Sequence, residues 1–149
     1  MRALLQRVTE ARVSEADGGP IAESGPGLLV MLCAMQGDGD GEAASLARKV
    51  AAIRLFEDDA GKMNRSLIDV GGEALVVSQF TLAADWRKGN RPSFSGGADF
   101  ATAERLYERF VELLRAEGVA ARTGRFRTHM HVSLTNDGPV TVWMDTDRP

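Results

Sequence analysis

Few polar side chains in this chain are placed to touch a reacting substrate. Ser78 and Gln79 follow directly on the apolar run Ala74-Leu75-Val76-Val77 and precede Phe80-Thr81-Leu82, so hydroxyl and amide groups stand at the end of an expected buried strand. A serine or threonine there attacks an ester only if a base takes its proton, and neither Ser78 nor Thr81 has a base beside it in the sequence. Ser78, a carboxylate and one of the two histidines, His129 or His131, offer a triad assembled in space, although a histidine on a strand is more often structural. The Gly-x-Ser-x-Gly, Walker and His-Glu-x-x-His patterns are absent, which argues against the common serine-hydrolase, nucleotide-triphosphate and zinc-hydrolase designs. Glu57-Asp58-Asp59-Ala60-Gly61 is acidic but reads as a solvated turn, and neither a metal nor a cofactor is expected.

A second segment, Asn136-Asp137-Gly138-Pro139-Val140-Thr141, reads by itself as a turn between two strands. Basic side chains gather at Arg87, Lys88 and Arg91, and again at Arg122, Arg125 and Arg127. Against a net charge of -3, this clustering points to local phosphate contact rather than a general affinity for polyanions such as DNA. Phe126, between Arg125 and Arg127, and Met130, just beyond the second cluster, suit either packing against a base or the core.

The elements that must position these groups follow from periodicity. Arg2 to Val8 and Ala11 to Ala16 read as strands, with Asp17-Gly18-Gly19-Pro20 turning the chain into a return strand at Ile21 to Ser24. Leu28 to Met35 lacks alternation and is expected at the centre of a sheet covered on both faces. Asp38 or Asp40 is expected to cap a first helix running to about Arg54, with Leu46, Val50 and Ile53 on one face. A second helix is expected from about Asp99 to Glu117, with Phe100, Ala103, Leu106, Phe110 and Leu113 inward, its Arg, Glu and Tyr residues outward, and Gly118 closing it. Val119 to Arg122, Met130 to Leu134 and Val140 to Asp145 supply further strands. The expected fold is a single layered α/β domain over residues 1–149, with about seven or eight strands and two main helices.

Composition limits the classes of function. With 149 residues, 44% hydrophobic and 26% charged, the chain suits one soluble core. Its opening, Met1-Arg2-Ala3-Leu4-Leu5-Gln6-Arg7, turns polar too early for a signal-peptide core, and no apolar run approaches membrane-spanning length. A cytoplasmic location is therefore expected. Cys33 is the single cysteine and lies in an apolar run, where an inert buried thiol is expected.

Taken together, Ser78-Gln79-Phe80-Thr81-Leu82 and Asn136-Asp137-Gly138-Pro139-Val140-Thr141 resemble the two signature motifs of the D-aminoacyl-tRNA deacylases. The resemblance extends through Met1 to Val8, Gly25-Pro26-Gly27-Leu28-Leu29-Val30, Gly61-Lys62-Met63-Asn64, Arg87-Lys88-Gly89 and Arg91-Pro92-Ser93-Phe94. Either motif alone would be a weak signal, whereas both at this separation are specific. The chain departs from the usual pattern at Ala83, Trp86 and Arg127-Thr128-His129.

The resemblance implies a homodimer in which the Gly138-Pro139 carbonyls of one chain, across a cis bond, enter the active site of the other and receive the substrate ammonium. Room is left for hydrogen or a D side chain, and an L side chain is excluded. It further implies that Ser78, Gln79, Phe80 and Thr81 shape the site, with amides near Phe80 and Thr81 facing the developing oxyanion and a ribose hydroxyl assisting. Arg87, Lys88, Arg91, Arg125, Phe126 and Met130 are the residues expected to hold tRNA. The expected reaction is metal-independent hydrolysis of D-aminoacyl-tRNA and mischarged glycyl-tRNA. The alternatives are an editing enzyme with a trans Gly138-Pro139 bond and other mischarged substrates, or a non-catalytic RNA-binding module.

Overall fold

A computed structural model of the chain describes residues 1–147. Its first strand, β1 (Arg2–Glu15), is continuous where the sequence suggests two strands. The expected interruption is a bend: the register against the last strand shifts on both sides of Val8. The first half of β1 lies antiparallel to β3 (Gly27–Cys33), and its second half receives β2 (Pro20–Ser24) as the expected hairpin. β6 (Glu73–Ser78) runs parallel to β3, and β7 (Ala120–Thr123) parallel to β6. β8 (Met130–Asp145) follows β1 along most of its length, joining into one strand the two segments expected on either side of Gly138-Pro139. β4 (Arg54–Glu57) and β5 (Met63–Ser66) form a separate hairpin around the acidic turn. In that turn the Asp58 carboxylate accepts the Ala60 and Lys62 amides. With helices α1 (Asp40–Ala52) and α2 (Phe100–Ala116), the described residues form eight strands and two helices, the expected layered α/β class.

Alternation in β3 and β6 divides the core. Leu28, Val30, Leu32, Ala74 and Val76 share one cluster with Leu46, Val50, Leu106 and Phe110 of the helices. Leu29, Leu75 and Val77 point the other way and meet Ala11, Val13, Met130, Val132 and Leu134. The bent β1–β8 ribbon therefore covers the face that the helices leave open. Covering on both faces accounts for the unbroken apolar runs in β3 and β6. Gly27 permits the two strands to meet, since a Cβ there would fall 1.9 Å from the Glu73 carbonyl oxygen.

Both helices differ in detail from the expectation. Gly39, rather than Asp38 or Asp40, caps α1, and Glu42 reaches back to accept its amide at 2.8 Å. Asp38 is instead engaged by the Met1 ammonium at 2.8 Å and the Met35 amide. α1 ends at Ala52 because Arg54 already belongs to β4. Asp99 caps α2 by accepting the Thr102 amide at 3.0 Å. The buried face of α2 is Leu106, Tyr107, Phe110, Val111 and Leu114, so Tyr107 faces inward and its hydroxyl donates to the Val76 carbonyl at 2.8 Å. Phe100, the first helical residue, is 61% exposed and lies outside the core clusters.

Candidate functional site

The C-terminal ends of β3 and β6 open into a cavity of about 720 Å³. It is lined by Leu32, Cys33 and Val77 of the strands with Ser78 at their rim, by Ala98, Phe100, Ala103 and Tyr107 at the start of α2 and just before it, and by Phe126 to Met130. This volume is within the range of small-molecule sites. Phe126 packs beside Tyr107, with ring centres 6.1 Å apart, and Met130 also packs against the second core cluster. Both residues thus pack against the core and also line the cavity. Burial raises the Tyr107 hydroxyl above its ordinary pKa and pushes the Cys33 thiol up to about 11, so both stay protonated at neutral pH.

Ser78 and Gln79 line this cavity at the end of β6, as does Phe80, which opens a single 3-10 turn, Phe80–Ala83. The turn begins where the Gln79 amide donates to the Leu32 carbonyl at 2.8 Å, and the Cys33 thiol of β3 donates to the Phe80 carbonyl within it. The Gln79 side-chain amide donates to the Thr81 hydroxyl, which is exposed and does not line the cavity. Among the described residues the Phe80 and Thr81 backbone amides have no acceptor, as expected of the first amides of a helical turn. No hydrogen bond joins Ser78 to His129 or His131 among those residues; the two imidazoles instead meet edge to face at 5.8 Å. The geometry offers amide donors and an oriented polar rim rather than an activated hydroxyl. Among the described residues, no three His, Cys, Asp or Glu side chains converge in a group able to hold a metal ion.

Gly138 and Pro139 lie elsewhere on the same chain. Leu32 pairs with Ser78 at the cavity end of the sheet, while Gly27 pairs with Val8, and Val8 with Asn136, at the other end. The five residue steps from Gly27 to Leu32 correspond to roughly 17 Å of strand. The Gly138-Pro139 bond is cis, Gly138 has φ of +125°, and both residues are exposed. The Asn136 side-chain amide donates to the Arg7 carbonyl at 2.9 Å and to the Val140 carbonyl at 3.0 Å, closing the motif on itself.

Arg7, which the sequence did not single out, holds this corner from beneath. Its side chain is 7% exposed and donates to the Leu55 carbonyl at 2.8 Å and the Asp137 carbonyl at 3.2 Å. It also pairs with the Asp137 carboxylate at 3.1 Å. The available signal was a charge at a position sharing the face of Ala3 and Leu5, where alternation calls for an apolar residue. Phe94 and Tyr107 were missed as site residues too; Phe94 stands edge-on to Phe80 at 5.2 Å.

Among the described residues, the basic side chains separate into those paired with a carboxylate and those without such a partner. Arg87 is engaged by Asp85 at 2.7 Å, and this hydrogen bonding lowers the Asp85 pKa to about 2. Lys88 and Arg91 lie exposed on the same loop, whose ends are joined by backbone bonds between Asp85 and Ser93. Arg125 pairs with Glu15, and Arg122 with Glu73 at 3.4 Å. Of the expected tRNA-binding residues, only Phe126 and Met130 line the cavity itself.

Comparison with known proteins places this geometry among relatives. The family model for D-Tyr-tRNA(Tyr) deacylase matches residues 4–145. The chain is 60% identical over 145 residues to a D-aminoacyl-tRNA deacylase of Ruegeria pomeroyi, covering 97% of this chain and 99% of that one. It is 58% identical over 146 residues to the corresponding protein of a Jannaschia species, covering 98% and 99%. Among solved structures it resembles the c-Myc DNA Unwinding Element Binding Protein, with a TM-score of 0.91 and 37% identity over 98% of this chain and 99% of that one. It shares its fold with a probable eukaryotic D-amino acid tRNA deacylase at a TM-score of 0.82 and 17% identity, covering 96% and 97%. The chain belongs to the D-Tyr-tRNA(Tyr) deacylase family.

Proposed function

We propose that this protein hydrolyses the ester of D-aminoacyl-tRNA, and of mischarged glycyl-tRNA, as a chirality proofreader of translation in the cytoplasm. The observation that carries this reading is the cavity at the end of β6, lined by Ser78, Gln79 and Phe80 together with Phe126 and Met130, and followed by a turn whose Phe80 and Thr81 amides have no acceptor among the described residues. In this reading the terminal adenosine lies against Phe126 and Met130. The ester carbonyl faces the Phe80 and Thr81 amides, which stabilise the developing oxyanion without an activated side chain. Water attacks the carbonyl, the adjacent ribose hydroxyl assists, and free amino acid and tRNA leave. Ser78, Gln79 and Thr81 keep the rim in shape.

Selectivity is assigned to Gly138 and Pro139 of a second copy of the chain. Two observations support this arrangement. The motif is exposed at the end of the sheet remote from its own cavity. Among the described residues β8 also pairs with β1 on one side only, leaving a sixteen-residue strand as a sheet edge. Backbone carbonyls from the partner would fix the ammonium so that an L side chain collides with the motif, while hydrogen or a D side chain does not. Lys88 and Arg91, together with Arg87 and Arg125 once released from their carboxylates, would guide the acceptor end electrostatically.

The name of the 37%-identical solved structure keeps a nucleic-acid-binding reading open for comparison. Multiple-turnover assays with purified protein and D-aminoacyl-tRNA distinguish the two. Catalytic release of the amino acid in the presence of a metal chelator is expected. Tight binding of tRNA or DNA without release would favour the binding module.

A further inference from the structure

Arg127 differs from its neighbouring cations in three respects. It lines the cavity, next to Phe126 and opposite Phe80, whereas Arg87, Arg122 and Arg125 do not. It has no carboxylate partner among the described residues, whereas those three are paired with Asp85, Glu73 and Glu15. Its guanidinium lies 4.4 Å from the ring centre of Phe100, the exposed aromatic residue at the start of α2. A cation held over a ring is fixed in place while its N–H fork remains available to an acceptor.

The backbone gives independent support for a specific placement. Arg127 is the one non-glycine residue with positive φ among the described residues, at +54°, in the left-handed region that disfavours a side chain. That conformation is maintained in a loop where the charged side chain returns across the cavity mouth to Phe100. Unfavourable backbone geometry at a cavity rim is where a functional constraint is expected.

We propose that Arg127 is a substrate-binding residue that takes the phosphodiester joining the terminal adenosine of the tRNA to the nucleotide before it. This rests on the functional reading above. If adenosine and aminoacyl group fill the cavity, the chain of the nucleic acid leaves through its mouth, and the first phosphate emerges beside the unpaired guanidinium. A planar fork donates to two phosphate oxygens at once. Phe100 thus serves as the platform for this arginine.

The test compares two substrates, D-aminoacyl-tRNA and a D-aminoacyl adenosine ester lacking phosphate, with wild type, Arg127→Gly and Arg127→Lys. Glycine suits the backbone at this position, so Arg127→Gly should fold and melt no lower than wild type. It should raise KM for the tRNA substrate about tenfold with kcat unchanged, and reduce the salt slope of log KM by about 0.7 to 0.9 for the lost phosphate contact. Arg127→Lys should recover part of the affinity, and the phosphate-free ester should be cleaved equally by all three proteins. Equal losses on both substrates would overturn the proposal in favour of a packing role, as would a tRNA KM and salt slope unchanged in Arg127→Gly. Wild type that cleaves neither D-ester would instead defeat the functional reading itself, a result visible before any variant is compared.

Discussion

Ser78 and Gly138 stand at opposite ends of one sheet. Ser78 pairs with Leu32 beside the cavity, whereas Gly138 follows Asn136, which pairs with Val8 at the level of Gly27. The two signature segments of a single chain are thus separated by roughly 17 Å of strand, too far to act on one ester. Joint action requires a second copy.

Subunit mixing follows from that separation. A protein disabled at the cavity, Gln79→Ala with Phe126→Ala, and a second disabled by Gly138→Ala should each be inactive. A Cβ at Gly138 would lie 2.7 Å from Val140 Cγ2 and 2.9 Å from its amide nitrogen, so this exchange distorts the motif directly. Refolded together in equal amounts, they should regain roughly a quarter of the intact sites through hybrid dimers. No recovery in dimers shown to be hybrid would place both segments in one chain's site.

Removing the hydroxyls should be mild. Ser78 has no hydrogen-bonded histidine among the described residues, and the Thr81 hydroxyl accepts from Gln79 rather than facing a base. Ser78→Ala and Thr81→Ala are expected to lower kcat by roughly 5- to 50-fold through loosening of the rim. Loss of a covalent nucleophile would cost on the order of 10⁴-fold or more. Single-turnover rates distinguish these ranges.

Arg7→Met should weaken both the fold and the motif. The substitution leaves the Leu55 carbonyl without its buried donor and releases Asp137. Because Asp137 and Glu57 are about half exposed, water takes over much of their solvation, and the expected cost is about 2 to 3 kcal/mol rather than the larger value of a fully buried pair. Urea denaturation measures the first effect, and reduced selectivity between D and L substrates reports the second.

Cys33 should make stability fall in alkali. Its thiol is raised by burial from 9.0 to about 11, so the unfolded chain loses that proton first. The contribution is fully present below pH 9 and declines as pH rises from 9 towards 11. Denaturation midpoints of wild type should drop across this window more steeply than those of Cys33→Ala, and the native thiol should react slowly with disulfide reagents at pH 8. Parallel pH curves for the two proteins would contradict the assignment.

Much of the fold was legible because its signals are local. Uninterrupted apolar runs identified β3 and β6, and Asp99 with Gly118 bounded α2. The single long β1 and β8 were not legible, since a bend and a turn look alike when Thr9-Glu10 or Asp137-Gly138-Pro139 interrupts alternation. Tyr107 was misplaced because the inward face of α2 is turned towards Val76, whose carbonyl satisfies the hydroxyl. Of the residues lining the cavity, Ser78 to Phe80 were picked out by the first motif and Phe126 and Met130 by the second basic cluster, but their meeting with Phe94, Phe100 and Arg127 depends on loop closures that no spacing encodes. Arg7 was hidden for a similar reason: its partners lie 48 and 130 residues away.

The most direct test of the central claim is the release of D- and L-forms of one amino acid from the same tRNA, measured under single-turnover conditions with purified protein. The account predicts rapid release of the D-form and release of the L-form slower by at least roughly a hundredfold. Equal rates for the two would contradict it.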